Sequence, residues 1–214
     1  MQLAIRNTPD PDCVLGIAYF VESLVTHLRS ALGALSAGEI IGLPTDTVYG
    51  IAADPMQRSA VEWLFTAKGR PAIKPIPILA ASIGDVRRFA VMDDDVAAIA
   101  GRHWPGGLTL ILLRAPGMPD WVGEPGRNTV GVRIPDHPVA REILTAAGPL
   151  AVTSANRSAE EPALDAAGAI ETLGDSIAVY IPGVASGGEA STIVDLSGSK
   201  PRILRQGSVE WMLP

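Results

Sequence analysis

The chain of 214 residues has one cysteine, three histidines and three lysines, and each scarcity closes off a kind of chemistry. Cys13 has no second thiol to pair with in the chain, which fits a reducing compartment. His27, His103 and His137 do not combine with Cys13 into any zinc-binding spacing. A P-loop pattern, G-x-x-x-x-G-K-[ST], is also missing, so a nucleotide would have to be held in another way. The apolar run over residues 13–21 is too short to cross a bilayer, and Asp10 and Asp12 stand where a secretory leader carries positive charge. The expected location is therefore the cytoplasm, with no membrane partner. Net charge is −6, which argues against a surface that attracts nucleic acid over long range. Any anion site must be local.

The remainder reads as one well-packed domain. Hydrophobic residues make up 47% of the chain, and 22 glycines and 18 prolines cut it into short elements. Residues 1–19, with "TPDPD", read as an N-terminal arm, and 20–214 as a single folded unit. Over residues 20–36 the apolar positions Val21, Leu24, Val25, Leu28, Leu32 and Leu35 recur at three- and four-residue steps and predict an amphipathic helix. Next come a strand at "EIIGLP", a helix at "SAVEWLFTAK" closed by "GRP", and a strand at "IPILAA", a β, α, β order. Further helices are expected at "DDDVAAIAGRHW", "HPVAREILTAAG" and "DAAGAIETLG". Strands are expected at "LTLILL", "TVGVRIP", "LAVTSA", "AVYIPG", "STIVDLS" and "RILRQG". Alternation early and runs of strands late predict an α/β fold with a mixed, partly parallel sheet flanked by helices.

Polar groups collect where these strands end. In "PTDTVYG", alternation puts Thr45 and Thr47 on one side and Asp46 on the other, and hydroxyls there can orient a small polar ligand. The same composition also makes an ordinary turn. In "KGRPAIKP", two of the three lysines, Lys68 and Lys74, flank Arg70 within eight residues. Lys68 suits the last turn of a helix, where its charge meets the helix dipole. Arg70 and Lys74 continue the positive charge without that explanation, and an anion such as a triphosphate would suit the set, against the alternative of a solvated basic turn. In "AVTSAN", Ser154 and Asn156 point the same way from a strand end, as a binding pair or as a turn. With no Gly-x-Ser-x-Gly around it, Ser154 reads as a binding group rather than a nucleophile. Gly187 and Gly188 precede the strand that opens at Ser191, either as a backbone anion cradle or as a flexible turn. Arg205 could as readily lie on the surface. "DDD" at 93–95 fits a helix start, and no metal site is assigned.

Seven segments, "PTDTVYGIA" (44–52), "KGRPAIKP" (68–75), "WPGGLTLIL" (104–112), "VGVRIPDHPVA" (130–140), "TSAN" (153–156), "STIVDLSG" (191–198) and "ILRQG" (203–207), together resemble the YrdC family of threonylcarbamoyl-AMP synthases. They run in family order over roughly residues 22–208. The resemblance implies a YrdC-like twisted mixed parallel/antiparallel sheet flanked by helices, with a basic concave cleft. It also implies an enzyme that condenses L-threonine, bicarbonate or CO2, and ATP into threonylcarbamoyl-adenylate and pyrophosphate. A separate transfer machinery then uses the product at position 37 of tRNA.

Carried over residue by residue, the resemblance makes Lys68 and Arg70 catalytic, with Arg70, Lys74, Thr129, Asn156 and Arg205 toward ATP. Thr47, Arg133, Ser154 and Ser191 fall toward threonine. Mg2+ is expected, held mainly by the phosphates. Three departures stand out. Leu79 occupies the place of a histidine found in some members, the loop "RSAEEPALD" is slightly long, and the chain ends soon after "LRQG", as in the short single-domain form. Two other readings remain at this level: a carbamoyl-adenylate enzyme of related fold, and a YrdC-like RNA-binding module that takes tRNA directly.

Overall fold

The computed structural model describes residues 25–69, 75–124 and 126–212. The expected arm, and Arg70 and Lys74 of the basic window, lie outside them. Helix α1 covers residues 25–36, within the span that apolar spacing predicts. Strands β1 (Ile41–Leu43) and β2 (Gly50–Ala53) follow, then helix α2 (Arg58–Lys68) and the short strand β3 (Ile78–Leu79). Helices α3 (Ile83–Val86) and α4 (Asp94–Gly101) lead to β4 (Leu108–Leu113) and β5 (Thr129–Arg133). Then come α5 (Pro138–Ala147), β6 (Leu150–Ser154), α6 (Ala166–Leu173), β7 (Val179–Tyr180), β8 (Thr192–Asp195) and β9 (Arg202–Arg205).

Local chemistry sets these boundaries. Asp93 caps α4 by accepting from the Val96 N–H at 2.8 Å, and Asp165 caps α6 by accepting from the Gly168 N–H at 2.8 Å. The acidic triplet at 93–95 is thus a helix start. Gly69 ends α2 in the left-handed region, φ 57°, where a side chain would be strained. The expected β, α, β order is corrected at one place, because β1 turns back into β2 before α2 begins. The turn is built by a side chain: the Thr45 hydroxyl donates to the Val48 carbonyl at 2.7 Å and accepts from the Thr47 N–H at 3.2 Å. No Asn-Gly or Asp-Gly dipeptide marks it.

The nine strands among the described residues form one mixed sheet, in the order β7-β1-β2-β6-β3-β5-β4-β8-β9. β1 with β2, β2 with β6, β3 with β6, β4 with β5 and β8 with β9 are antiparallel. β1 with β7, β3 with β5 and β4 with β8 are parallel. Strand alternation divides the side chains between two faces. On one face Ile51, Leu64, Ile78, Leu110, Val132 and Val194 share a core that includes α2. On the other, Leu43, Leu79, Leu150 and Val152 pack with Ala31 and Leu35 of α1 and Ile143 and Leu144 of α5. Along β4, β5 and β8 this second face carries Thr109, Ile111, Gly131, Arg133 and Ile193, which line a cavity instead of meeting a helix.

The β8–β9 edge is fastened by one carboxylate. Asp195 is 1% exposed and accepts from the Ser197 N–H at 2.9 Å, the Ser197 hydroxyl at 2.6 Å, Arg202 Nη2 at 2.6 Å and Arg127 Nη2 at 3.2 Å. Burial raises its pKa, but these donors outweigh that and hold it at about 2. A carboxyl depressed on folding stabilises the fold above its unfolded pKa, and that contribution fades as pH falls through the folded value. Because Arg202 and Arg127 are partly exposed, the contribution is set at about 1–2 kcal/mol. Asp195→Asn is expected to lose that amount in urea unfolding at pH 7. The gap between variant and parent should close between pH 4 and pH 2.

Candidate active site

Register brings the polar strand ends together. Gly50 of β2 stands opposite Ser154 of β6, so the 45–49 turn lies beside the end of β6. Leu79 stands opposite Arg133, and Thr109 opposite Ile193. The cavity between them holds about 220 Å³ and is lined by Thr47, Leu79, Arg133, Ser154, Ser191 and Arg205, among others. A second cavity, of about 180 Å³, lies on the opposite sheet face beneath Trp121. None of the sequence-predicted site residues lines it.

Arg133 is the anchor of the first cavity. The residue is 5% exposed, and its Nη1 donates to Thr47 Oγ1 at 2.9 Å, its Nη2 to Asp46 Oδ1 at 2.5 Å and its Nε to the Gly106 carbonyl at 3.0 Å. Burial pushes the guanidinium pKa down, Asp46 pulls it up, and nearby Arg205 pushes it down again. It stays charged, since arginine starts far above neutrality. Thr45 and Thr47 do share a side, with their hydroxyls 3.0 Å apart. Asp46 does not line the cavity, yet reaches the same guanidinium because the segment is a turn and not a strand.

Gly187 locks that turn from above. The Gly188 N–H donates to the Thr47 carbonyl at 2.6 Å and the Ser186 N–H to the Thr45 carbonyl at 3.2 Å. A Cβ on Gly187 would come within 2.3 Å of the Asp46 carbonyl oxygen, so only glycine allows this approach.

A second cluster forms at Ser191, just before β8. Arg205 donates through Nε to the Ser191 carbonyl at 2.9 Å and through Nη2 to Ser191 Oγ at 3.1 Å, while Ser191 Oγ lies 2.9 Å from Thr109 Oγ1. Arg205 belongs to an exposed strand and still faces the cavity, and burial lowers its pKa. Its surface alternative and its site reading are thus compatible.

The third cluster joins α2 to β6. Lys68 is 3% exposed and its ammonium donates to the Ser154 carbonyl, to the Asn156 carbonyl at 2.8 Å and to Asn156 Oδ1 at 2.7 Å. The Ser154 hydroxyl donates to Asn156 Oδ1 at 2.6 Å, and Asn156 Nδ2 donates to the Glu160 carbonyl at 2.6 Å. The loop after Asn156 is therefore tied back to it, helped by the Ala163 N–H donating to the Ala155 carbonyl at 3.0 Å.

Thr129 stands apart. It begins β5, is buried, and donates to Glu124 Oε2 at 3.3 Å without lining the cavity. Leu79 lines the wall as an apolar group, where a histidine would have offered a polar atom. Thr109 and Gly106 belong to the site without having been picked out for it, and Gly187, open to reading as an anion cradle or a flexible turn, joins it by packing on the Asp46 backbone. A threonine inside the apolar "LTLILL" was a readable signal for the first. Two guanidiniums line the cavity among the described residues, and the rest of its expected basic character falls on Arg70 and Lys74.

The family model Sua5_yciO_yrdC, described as Telomere recombination, matches residues 33–207. A putative threonylcarbamoyl-AMP synthase of Mycobacterium tuberculosis is 44% identical over 84% of this chain and 83% of its own length. The threonylcarbamoyl-AMP synthase of Marinobacter nauticus is 37% identical over 79% and 91%. Among solved structures, P. abyssi Sua5 complexed with L-threonine superposes with a TM-score of 0.79 at 34% identity, covering 84% of this chain and 54% of that one. The chain thus spans about half of that protein. E. coli YciO, at 23% identity and TM-score 0.80, shares the fold over 86% of this chain and 90% of its own.

Removing Asp46 isolates a buried guanidinium. Asp46→Ala is expected to lower unfolding free energy by about 3–5 kcal/mol, as for other broken buried pairs. Asp46→Asn, which keeps an acceptor, should lose less. Urea melts of both variants at pH 7 check the order.

Proposed function

The chain belongs to the Sua5/YciO/YrdC family, and from that premise we propose that it is an L-threonylcarbamoyladenylate synthase, a nucleotidyltransferase acting on ATP. The observation that carries the reading is the buried Arg133, set among hydroxyls in a 220 Å³ cavity and facing Ser154, Ser191 and Arg205. A cavity of that size suits a small amino acid with part of a nucleotide at its mouth.

In this reading Arg133 and Thr47 take the threonine carboxylate, and Ser154 and Ser191 meet its remaining polar atoms. Arg70, Lys74, Asn156 and Arg205 attend the nucleotide, with Thr129 at the far end of the strand that carries Arg133. Lys68 and Arg70 serve the reacting centre. The threonine amine adds to CO2 and loses a proton, giving a carbamate. One carbamate oxygen then attacks the α-phosphorus of ATP, and the bond to pyrophosphate breaks. Neither step needs a protein nucleophile, so positioning and charge stabilisation suffice.

Among the described residues no group of three His, Cys, Asp or Glu side chains could hold a metal. A Mg2+ would therefore be carried by the phosphates, whose charge it would offset. The product is an activated acyl donor, consumed by a transferase that modifies tRNA. That chemistry belongs to the cytoplasm, and no helix among the described residues is long and apolar enough to cross a membrane.

The test is pyrophosphate release by the purified protein with ATP, Mg2+ and bicarbonate, with L-threonine, with L-serine, or with neither. Release is expected to require both threonine and bicarbonate. Release that ignores threonine, or none at all, overturns the assignment. Arg133→Lys keeps a cation beside Asp46 but loses the planar fork, so the threonine KM should rise on the order of tenfold to a hundredfold. Its kcat should change much less.

A further inference from the structure

Strand β9 carries Arg205 to the cavity and has little of its own to hold it there. Its four residues, Arg202–Arg205, are all exposed, it ends the sheet among the described residues, and its register on β8 is broken between Ile193 and Val194. Two paired strands without a buried face are marginal in water. The position of β9 is therefore set at its ends. At the start Arg202 is tied to Asp195 at 2.6 Å. Beyond Arg205 the chain turns back over residues 206–209, and most of its fastening there comes from one side chain.

That side chain is Thr192, which is fully buried. Its hydroxyl donates to the Val209 carbonyl at 2.5 Å and accepts from the Gly207 N–H at 2.9 Å and the Val209 N–H at 3.2 Å. A hydroxyl has one proton and two lone pairs, so these three bonds use all of it. Alternation puts Thr192 with Val194 on the core side of β8, away from Ile193, and it does not line the cavity. The turn that it holds rests on the cavity wall. The Ser208 N–H donates to the Ala190 carbonyl at 3.0 Å, and a Cβ on Gly207 would come within 2.1 Å of that oxygen and 2.8 Å of the Ser191 carbonyl oxygen. Ser208 alone would leave the turn free to pivot; the bonds to Thr192 at 207 and 209, on either side of it, prevent that. The turn thus meets both members of one contact, since it continues from Arg205 and packs on Ser191, to which Arg205 donates.

We propose that Thr192 is a positioning residue for the nucleotide: through the 206–209 turn it clamps the end of β9 and so fixes the Arg205 guanidinium at the cavity wall. The proposal rests on the reading that Arg205 attends ATP. Thr192 itself touches no substrate and acts through the backbone of the turn.

The experiment compares Thr192→Val, which keeps the shape and deletes the hydroxyl, with Thr192→Ser, which keeps the hydroxyl, in the full chain. Amide hydrogen exchange reads the clamp whatever the chain catalyses. Thr192→Val should speed exchange over residues 202–205, none of which bonds to Thr192, on the order of tenfold, with β4 and β5 at parental rates. In threonine-dependent pyrophosphate release the same variant should raise the ATP KM roughly fivefold to twentyfold, part of what a hydrogen bond from a charged group carries, with kcat little changed. Thr192→Ser should stay within about twofold of the parent in both measurements. In an Arg205→Ala background Thr192→Val should move the ATP KM by less than about twofold, because the group it positions is gone. A general loosening of the fold would raise KM in both backgrounds. Should Thr192→Val fail to fold, Gly207→Ala, which pushes the turn off Ala190, takes its place with the same expectations. Unchanged exchange over 202–205 overturns the clamp. Faster exchange with an unmoved ATP KM, or a KM effect that persists without Arg205, overturns the coupling to the nucleotide. No threonine-dependent release by the unaltered protein overturns the functional reading and the coupling with it, while the exchange result still decides the clamp.

Discussion

A guanidinium buried to the extent of Arg133 would be expelled or leave its strand unstable unless most of its donors were met, because the desolvation of an ion runs to several kcal/mol. That requirement organises the surrounding backbone. Asp46 and Thr47 come from the turn between β1 and β2, and the Gly106 carbonyl from the approach to β4. The Gly106 N–H in turn donates to the Ile134 carbonyl at 2.8 Å, one residue beyond Arg133. Three segments far apart in sequence are thereby registered on one side chain. Two of its five N–H groups remain outside these three bonds, which leaves the fork able to meet a second anion beside Asp46.

The cavity follows from sheet parity as much as from polar chemistry. On β4 and β5 the even-numbered residues Leu108, Leu110, Leu112, Val130 and Val132 are within 2% of full burial and share the core with α2. Their odd-numbered neighbours Thr109, Ile111, Gly131 and Arg133 face the cavity. Helices α1 and α5 cover this face toward β1, β2, β3 and β6, where Leu43, Ala52, Leu79 and Val152 meet them. The concave site is the stretch of sheet that no helix among the described residues covers, and a one-residue slip of β5 would bury Arg133 in the apolar core.

The sequence made some of this legible and hid the rest for identifiable reasons. Helix α2 and strands β4, β5 and β6 could be read because their periodicity is strong and caps or glycines bound them. Strand β2 could not, since the turn before it is closed by the Thr45 hydroxyl and lacks the usual hairpin dipeptide. α3 escaped because one helical turn has too little periodicity to register. Thr47, Arg133, Ser154, Ser191 and Arg205 were all named from motifs and do converge. The role of Asp46 was hidden because strand alternation, applied to a turn, sends its side chain away from Thr47. Gly187 read as an anion cradle or a flexible turn residue, whereas its need is steric and set by a chain segment about 140 positions earlier.

Lys68 illustrates why position in a helix is a weak guide to what a charge does. A lysine in a last helical turn is ordinarily solvated, and the dipole accounts for it. Here the side chain is 3% exposed and its charge is spread over carbonyls of the "TSAN" segment. Desolvating an ammonium is tolerable only when its N–H groups are met, and the carbonyls at the end of β6 help to meet them. The arginine of β5 is held by a carboxylate and a hydroxyl of the turn before β2, and the lysine of α2 by the end of β6, so two buried cations each tie a separate element to the sheet.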